Sequence, residues 1–255
     1  MKRTIFAVLG AAVLLLGTLA GVWTARAVPT AGWGLSFGTP GTAPAGPVSQ
    51  QRLAQLGAAY LDPDGGKVLY LTFDAGYENG YTGQILDVLQ KQEVPAAFFL
   101  VGDYLERNAD LVRRMVQEGH IVGNHTRSHP DMRELDAAAF EAELRGVETL
   151  YTDITGQTLP KFYRPPQGLY SEENLKTAQN LGYQTVFWSL AYADWDNSNQ
   201  PDPDAAVEKL NSRIHDGAVI LLHATSKTNA QILERLIAAW KDMGYRFAPL
   251  TELFS

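Results

Sequence analysis

Short apolar runs and stretches of helical periodicity take turns along most of this chain. The runs lie at Val68–Phe73, Ala96–Val101, His120–Val122, Lys161–Tyr163, Thr185–Leu190, Ala218–Leu222 and Arg246–Ala248. Apolar runs bounded by turn residues are expected of strands buried on both faces. Between them, the segments Gln84–Gln90, Leu105–Gln117, Ala137–Tyr151, Glu172–Asn180, Ala205–Ile214 and Ala230–Met243 place apolar residues three or four apart, which is the spacing of one helix face. Gly119, Gly182 and Gly244 stand where helices should stop, and Asp136, Ser171 and Asn229 where they should be capped. Strand and helix alternating in this way predict an α/β fold. Its strands are parallel, its helices lie outside, and its sheet is either open or closed into a barrel.

Composition narrows the picture. The 255 residues, 45% of them hydrophobic, can bury one substantial core, and residues 51–255 need no second domain. Residues 28–50 are rich in Gly, Pro, Ala and Thr without periodicity, and read as linker. Upstream, Lys2 and Arg3 precede an uncharged stretch from Thr4 to Thr24, and Ala25-Arg26-Ala27 forms a small-x-small cleavage site. Residues 1–27 are therefore expected to act as a signal peptide or, being long enough to span a bilayer, as an N-terminal membrane anchor. Either way the remainder is expected outside the cytoplasm, touching the membrane only through that segment. A net charge of −7 argues against nucleic acid as a partner. The absence of cysteine excludes disulfides, thiolate catalysis and cysteine-bound zinc.

In parallel α/β folds the loops that follow the strands converge at one end of the sheet, and chemistry gathers there. The first run stops at Asp74, followed by Ala75-Gly76. The third leads into His125 and His129, four apart and so on one side of their segment, as zinc-binding imidazoles commonly are. The fourth delivers Arg164 before Pro165-Pro166, a stiff connection that Gly168 lets turn. The fifth leads to Asp194 and Trp195, and the sixth ends in His223. Any one of these reads equally well as a turn, a packing residue or a buried histidine. Five strand ends that all carry polar groups point to a site. His120 and His215 fall outside this set and receive no function.

Five motifs, "TFDAG", "HTRSH", "RPPQG", "DW" and "LLH", occur in an order and spacing that resemble the polysaccharide deacetylases with a NodB homology domain, carbohydrate esterase family 4. The longer stretches "TFDAGYENGYT", "GNHTRSHPDM", "RPPQGLYSE", "SLAYADWD" and "LLHATSKTNAQIL" look most like the PdaA-type delta-lactam-biosynthetic de-N-acetylases, and Gly32-Trp33-Gly34 resembles a segment upstream of their catalytic domain. The resemblance covers residues 31–255, which implies that the linker is less dispensable than its composition suggests, and it implies an irregular seven-stranded (β/α) barrel of NodB homology type over residues 51–255. It implies a hydrolase that removes acetyl groups from cell-wall glycans.

The resemblance also implies roles. Asp74 corresponds to the general base, Arg164 to the residue that orients it, His223 to the general acid and Asp194 to the carboxylate that holds His223. The backbone N–H of Gln167 would face the oxyanion, with Leu221 and Trp195 walling the slot for the acetyl methyl. In most of the family a second aspartate follows the first and joins two histidines on a divalent metal. Here that position is Ala75, leaving His125 and His129 as the metal ligands. Either waters or another carboxylate such as Asp131 complete a weaker site, with zinc the leading candidate, or no metal binds and the histidines hydrogen-bond substrate or water.

By the same resemblance the substrate is N-acetylmuramic acid in peptidoglycan glycan strands of the spore-cortex type. Its freed amine closes on the lactyl carboxyl to give muramic δ-lactam. Separately from the resemblance, the protein is expected to be a monomer. Two rival readings are an N-acetylglucosamine deacetylase for peptidoglycan or chitin-like glycan, and an inactive wall-binding protein. The matched acidic and imidazole groups count against the second.

Overall fold

A computed structural model describes residues 31–255; the expected signal peptide or anchor lies outside the described residues. In chain order the elements are β1 (Ala31–Gly32), α1 (Gln50–Ala54), β2 (Ala58–Ala59), β3 (Val68–Ala75), α2 (Thr82–Gln92), β4 (Ala96–Leu100), α3 (Gly102–Arg107), α4 (Ala109–Gln117), β5 (Ile121–Asn124) and α5 (Ala137–Thr155). They continue with β6 (Phe162–Tyr163), β7 (Leu169–Tyr170), α6 (Glu172–Asn180), β8 (Gln184–Val186), α7 (Pro203–Arg213), β9 (Ala218–His223), α8 (Lys227–Asp242), β10 (Arg246–Phe247) and α9 (Leu250–Leu253).

Eight strands form one parallel sheet in the order β10-β3-β4-β5-β6-β8-β2, with β9 also paired to β3. A single bridge between Leu190 and Ile220 ties the segment after β8 to β9, and the sheet curls into an irregular (β/α) barrel. All seven expected strands are present. The additional one, β2, is a pair of alanines, too short to show a period.

The alternation of side chains along β3 explains both the core and the position of the site. Leu69, Leu71 and Phe73 face the helices, packing in one cluster with Ile85 and Leu89 of α2 and Ile232 and Leu236 of α8. Val68 and Tyr70 face inward with Phe99 of β4, Val186 of β8 and Val219 of β9. Each such side chain, fully buried, contributes about 1.5–3 kcal/mol. Asp74 continues the inward row at the C-terminal end of the strand, where the apolar filling stops.

Three local expectations change. The predicted helix 105–117 is two helices, because Asn108 (φ −129°, ψ 39°) leaves the helical region and its side chain donates to the Tyr104 carbonyl at 3.0 Å. Asn229 is not the N-cap of its helix. Ser226 is: its Oγ accepts from the Asn229 N–H at 3.1 Å, so α8 starts three residues earlier and Asn229 is freed for another task. Of the Gly/Pro-rich stretch expected as linker, the described residues 31–50 are tied to the barrel. β1 pairs antiparallel with β7, and Trp33 is buried, stacked 4.4 Å from Phe187. Its indole N–H donates to the Trp188 carbonyl at 2.9 Å. Asp136 and Ser171 do cap α5 and α6, accepting from Ala139 N–H at 2.8 Å and Asn174 N–H at 3.1 Å.

Candidate active site

The barrel mouth holds a cavity of about 930 Å³ lined by Asp74, Ala75, His125, His129, Gln167, Trp195, Leu221 and His223 among others. Strand register brings the far-separated members together. β3 pairs β9 with Asp74 opposite His223, and β5 pairs β6 with Asn124 opposite Tyr163. The residues that follow, His125 and Arg164, are thereby adjacent.

Arg164 is completely buried. Its Nη1 donates to Asp74 Oδ1 at 2.7 Å, its Nε to the Val186 carbonyl at 2.9 Å, and its guanidinium carbon lies 4.1 Å over the Phe99 ring. Gly123 makes that stacking possible, since a Cβ there would come within 2.7 Å of the Phe99 ring. Burial by itself would raise the Asp74 pKa. The Arg164 charge, then His125 and His223, outweigh it and hold the carboxyl below its ordinary range.

His125 donates Nδ1–H to the Arg164 carbonyl at 2.8 Å, because a carbonyl oxygen can only accept. This fixes the tautomer with its lone pair on Nε2, which lies 3.6 Å from Asp74 Oδ2. Burial, opposed by Asp74 and reinforced by His129, drives His125 down to about 4, so it is neutral near pH 7. Burial lowers His129 as well, and the two rings stand 5.0 Å apart, edge to face. His129 has φ +58°, a left-handed conformation rare outside glycine. Its backbone N–H is pinned to Thr126 Oγ1 at 2.9 Å.

On the opposite side, His223 Nδ1–H donates to Asp194 Oδ1 at 2.7 Å, and the His223 backbone N–H donates to Oδ2 at 2.8 Å. Burial would lower this imidazole, but the charge and hydrogen bond of Asp194 prevail and raise it above its ordinary value. Asn229, missed as a site residue, completes the arrangement. Its amide donates to Asp194 Oδ2 at 2.5 Å and to the His223 carbonyl at 3.0 Å, and its oxygen accepts from the Tyr192 hydroxyl at 2.5 Å. Nothing in the sequence pattern separates this role from capping, since Asn serves both.

Trp195 is 61% exposed and meets His223 edge to face at 6.3 Å, while Leu221 is buried. Gln167 follows two prolines with φ +56°, and Trp33 N–H fastens the next residue's carbonyl, that of Gly168, at 2.9 Å. Gly168 itself admits no side chain: a Cβ would come within 2.8 Å of both Trp33 and Trp188. His120 and His215 are engaged elsewhere, with Ala96 N–H and with Ser189 and the Arg213 carbonyl.

His125 and His129 offer two neutral nitrogens of the kind zinc prefers. Ala75 offers none, and Asp131 is held by Arg133 at 2.6–3.2 Å rather than turned to the histidines. Among the described residues no three His, Asp or Glu side chains are grouped to hold an ion. The donor set therefore falls short of the three protein ligands usual for catalytic zinc. A carboxylate whose pKa is held down and an imidazole whose pKa is raised, in one cavity, can accept a proton from water and deliver one to a leaving group.

Residues 62–186 match the polysaccharide deacetylase family. The peptidoglycan-N-acetylmuramic acid deacetylase PdaA of Bacillus subtilis is 41% identical over 246 residues, covering 95% of this chain and 92% of that protein. A solved structure of Bacillus subtilis PdaA, a family 4 carbohydrate esterase, has a TM-score of 0.84 at 39% identity, covering 88% of this chain and 96% of that one. A peptidoglycan-N-acetylglucosamine deacetylase of Bacillus cereus is 32% identical over 200 residues, covering 77% of this chain and 71% of that protein.

Proposed function

The chain belongs to the polysaccharide deacetylase family, carbohydrate esterase family 4, a family of amide-bond hydrolases, and from that premise we propose that it de-N-acetylates N-acetylmuramic acid in peptidoglycan. The observation that carries a hydrolytic reading is the pair of oppositely tuned groups in one cavity, Asp74 with Arg164 and His223 with Asp194. The muramic reading is supported by the relative that spans 92% of its own length here and is named for that sugar.

In the proposed reaction, Asp74 aligns a water against the acetyl carbonyl carbon and takes its proton as the C–O bond forms. Held below its ordinary pKa, Asp74 is a weak base, so its alignment of the water matters as much as its proton affinity. Arg164, which never releases its own proton, fixes the Asp74 carboxylate and keeps it charged. The N–H of Gln167 meets the oxyanion, in the manner of a preorganised donor. His223 then gives its proton to the nitrogen as the C–N bond breaks, leaving the free amine and acetic acid. Asp194 and Asn229 hold the ring in place for that transfer. Leu221 and Trp195 enclose the acetyl methyl.

The family is in general metal-dependent. With Ala75 in place of the usual aspartate, we propose that His125 and His129 hold a divalent ion, zinc by donor type, only weakly, where its charge would polarise the carbonyl. The freed amine closing on the lactyl carboxyl would give muramic δ-lactam, and a substrate in the cell wall agrees with an exported protein. The test is mass spectrometry of cortex-type glycan, stripped of stem peptides and incubated with the protein, its Asp74→Asn variant and a chelator. Loss of C2H2O per muramic residue, with or without a further loss of water, is expected from the protein, and about 10²–10⁴-fold less from the variant. Acetate released only from N-acetylglucosamine polymer would overturn the muramic assignment.

A further inference from the structure

Among the described residues the arginines are paired almost throughout, and the exception borders the active-site cavity. Ten of the eleven arginines among the described residues have a carboxylate within 4 Å. The eleventh, Arg213, has none; its guanidinium carbon lies 4.3 Å over the Phe37 ring instead. One turn earlier on the same helix, α7, stands Lys209, which has no ion pair among the described residues either. Residues four apart share a helix face, and both line the cavity that contains Asp74 and His223. Phe37, brought there by the segment tied through β1 and Trp33, lines it too.

The cavity therefore has an unusual balance for a chain of net charge −7. Its one lining carboxylate, Asp74, is already neutralised by Arg164. The two further charged residues of the lining, apart from histidines, are unpaired cations. An unpaired guanidinium laid on an aromatic ring is held ready in one orientation, and its planar donors suit a carboxylate. At about 930 Å³ the cavity is at the upper end of the range for ligand pockets, about 300–1,000 Å³. It has room for more than the acetyl group.

We propose that Lys209 and Arg213 form a subsite for a carboxylate on the glycan, the free lactyl carboxylate of a muramic residue. This rests on the muramic reading above and adds the side chains that would distinguish this sugar from N-acetylglucosamine, which lacks the lactyl group. A lactyl group still amide-linked to a stem peptide carries no charge for the two cations to bind, so the subsite would favour glycan without stem peptides. The carboxylate is that of the sugar being deacetylated or that of the next muramic residue along the strand.

The experiment compares kcat/KM on a defined muramic glycan whose lactyl groups are free with the same glycan as its methyl ester. The wild type is expected to prefer the free acid, with a preference that shrinks as salt is raised. In the Lys209→Met/Arg213→Gln double variant the preference should fall by about tenfold or more, mostly through KM, the effect of losing charge-assisted hydrogen bonds. Arg213→Lys, which keeps the charge, should recover part of it, and this guards against a variant that merely packs poorly on Phe37. Preference on a glycan with a single muramic residue assigns the carboxylate to the reacting sugar; preference only on strands with two assigns it to the neighbour. A wild type that deacetylates acid and ester equally, or a double variant that keeps the full preference, overturns the subsite while leaving muramic deacetylation intact. No release of acetate from either muramic glycan overturns both.

Discussion

Two carboxylates at this barrel mouth make the same kind of bond and come out with opposite consequences. Asp74 accepts from Arg164 at 2.7 Å, and Asp194 accepts from His223 at 2.7 Å. Both are buried, and both draw on a second donor or neighbour. What differs is the partner. The arginine keeps its proton at every accessible pH, so the effect of that pair is to hold Asp74 ionised. The histidine exchanges its proton, so the effect of the other pair is to load His223. The difference teaches that a hydrogen-bond distance does not assign a role. The partner's own proton affinity does.

The comparison is most severely tested by Arg164→Met. Removing one member of a buried pair costs about 3–5 kcal/mol of stability, read by urea unfolding. Wild-type Asp74 has a folded pKa below its unfolded one, so its contribution is present above the unfolded value and lost as pH falls through the folded one. In the variant, burial is opposed by His125 and His223 but no longer by Arg164 and raises the carboxyl, so stability should instead fall as pH rises through the unfolded value. An unchanged pH dependence would mean that Arg164 does not govern Asp74.

Asp194→Asn addresses the other side. Without the anion, burial lowers His223, and the basic limb of the rate profile should move from above to below the ordinary imidazole pKa of about 6.5, with the rate down about 10²–10⁴-fold. In the wild type the raised His223 contributes stability that is fully present below the unfolded pKa and lost as pH rises through the folded one. Titration of the ring protons by NMR follows both, and the same spectra should show His125 titrating near 4.

Asn229→Ala is a milder break. It leaves Asp194 one donor short and the Tyr192 hydroxyl without its acceptor, a cost of about 1–3 kcal/mol. A positioning role predicts a displaced His223 titration as well as a lower melting temperature; a purely structural role predicts the second alone. The gentlest change, Ala75→Asp, adds a carboxylate beside Asp74. Zinc affinity by calorimetry should tighten at least about tenfold, since even outer-shell partners are worth that much.

Much of this was legible in the chain because it is local. Apolar runs ending in Asp74 and His223 announced strands with polar mouths, and His125 and His129 announced a shared side by spacing alone. Asn229 was not legible, because an asparagine near a helix start is a cap by statistics and Ser226 competes for the same position. The tie of Trp33 to Gly168 was hidden in a Gly/Pro-rich stretch whose composition carries no period. Lys209 and Arg213 looked like any basic pair on an exposed helix face until the cavity wall was seen to include them.

The sequence by itself determined which residues end the strands and what each can do as an isolated group, since side-chain chemistry and backbone period need no distant neighbour. The tertiary structure alone decided which strand ends meet. Parallel strands join through helices and can lie in several orders, and only the observed order sets Asp74 opposite His223 and brings in Arg164 from 90 residues away. It also decided the protonation of each group. Burial raises a carboxyl and lowers an imidazole until a neighbouring charge overrules it, and neither the burial nor the neighbour exists before the chain is folded.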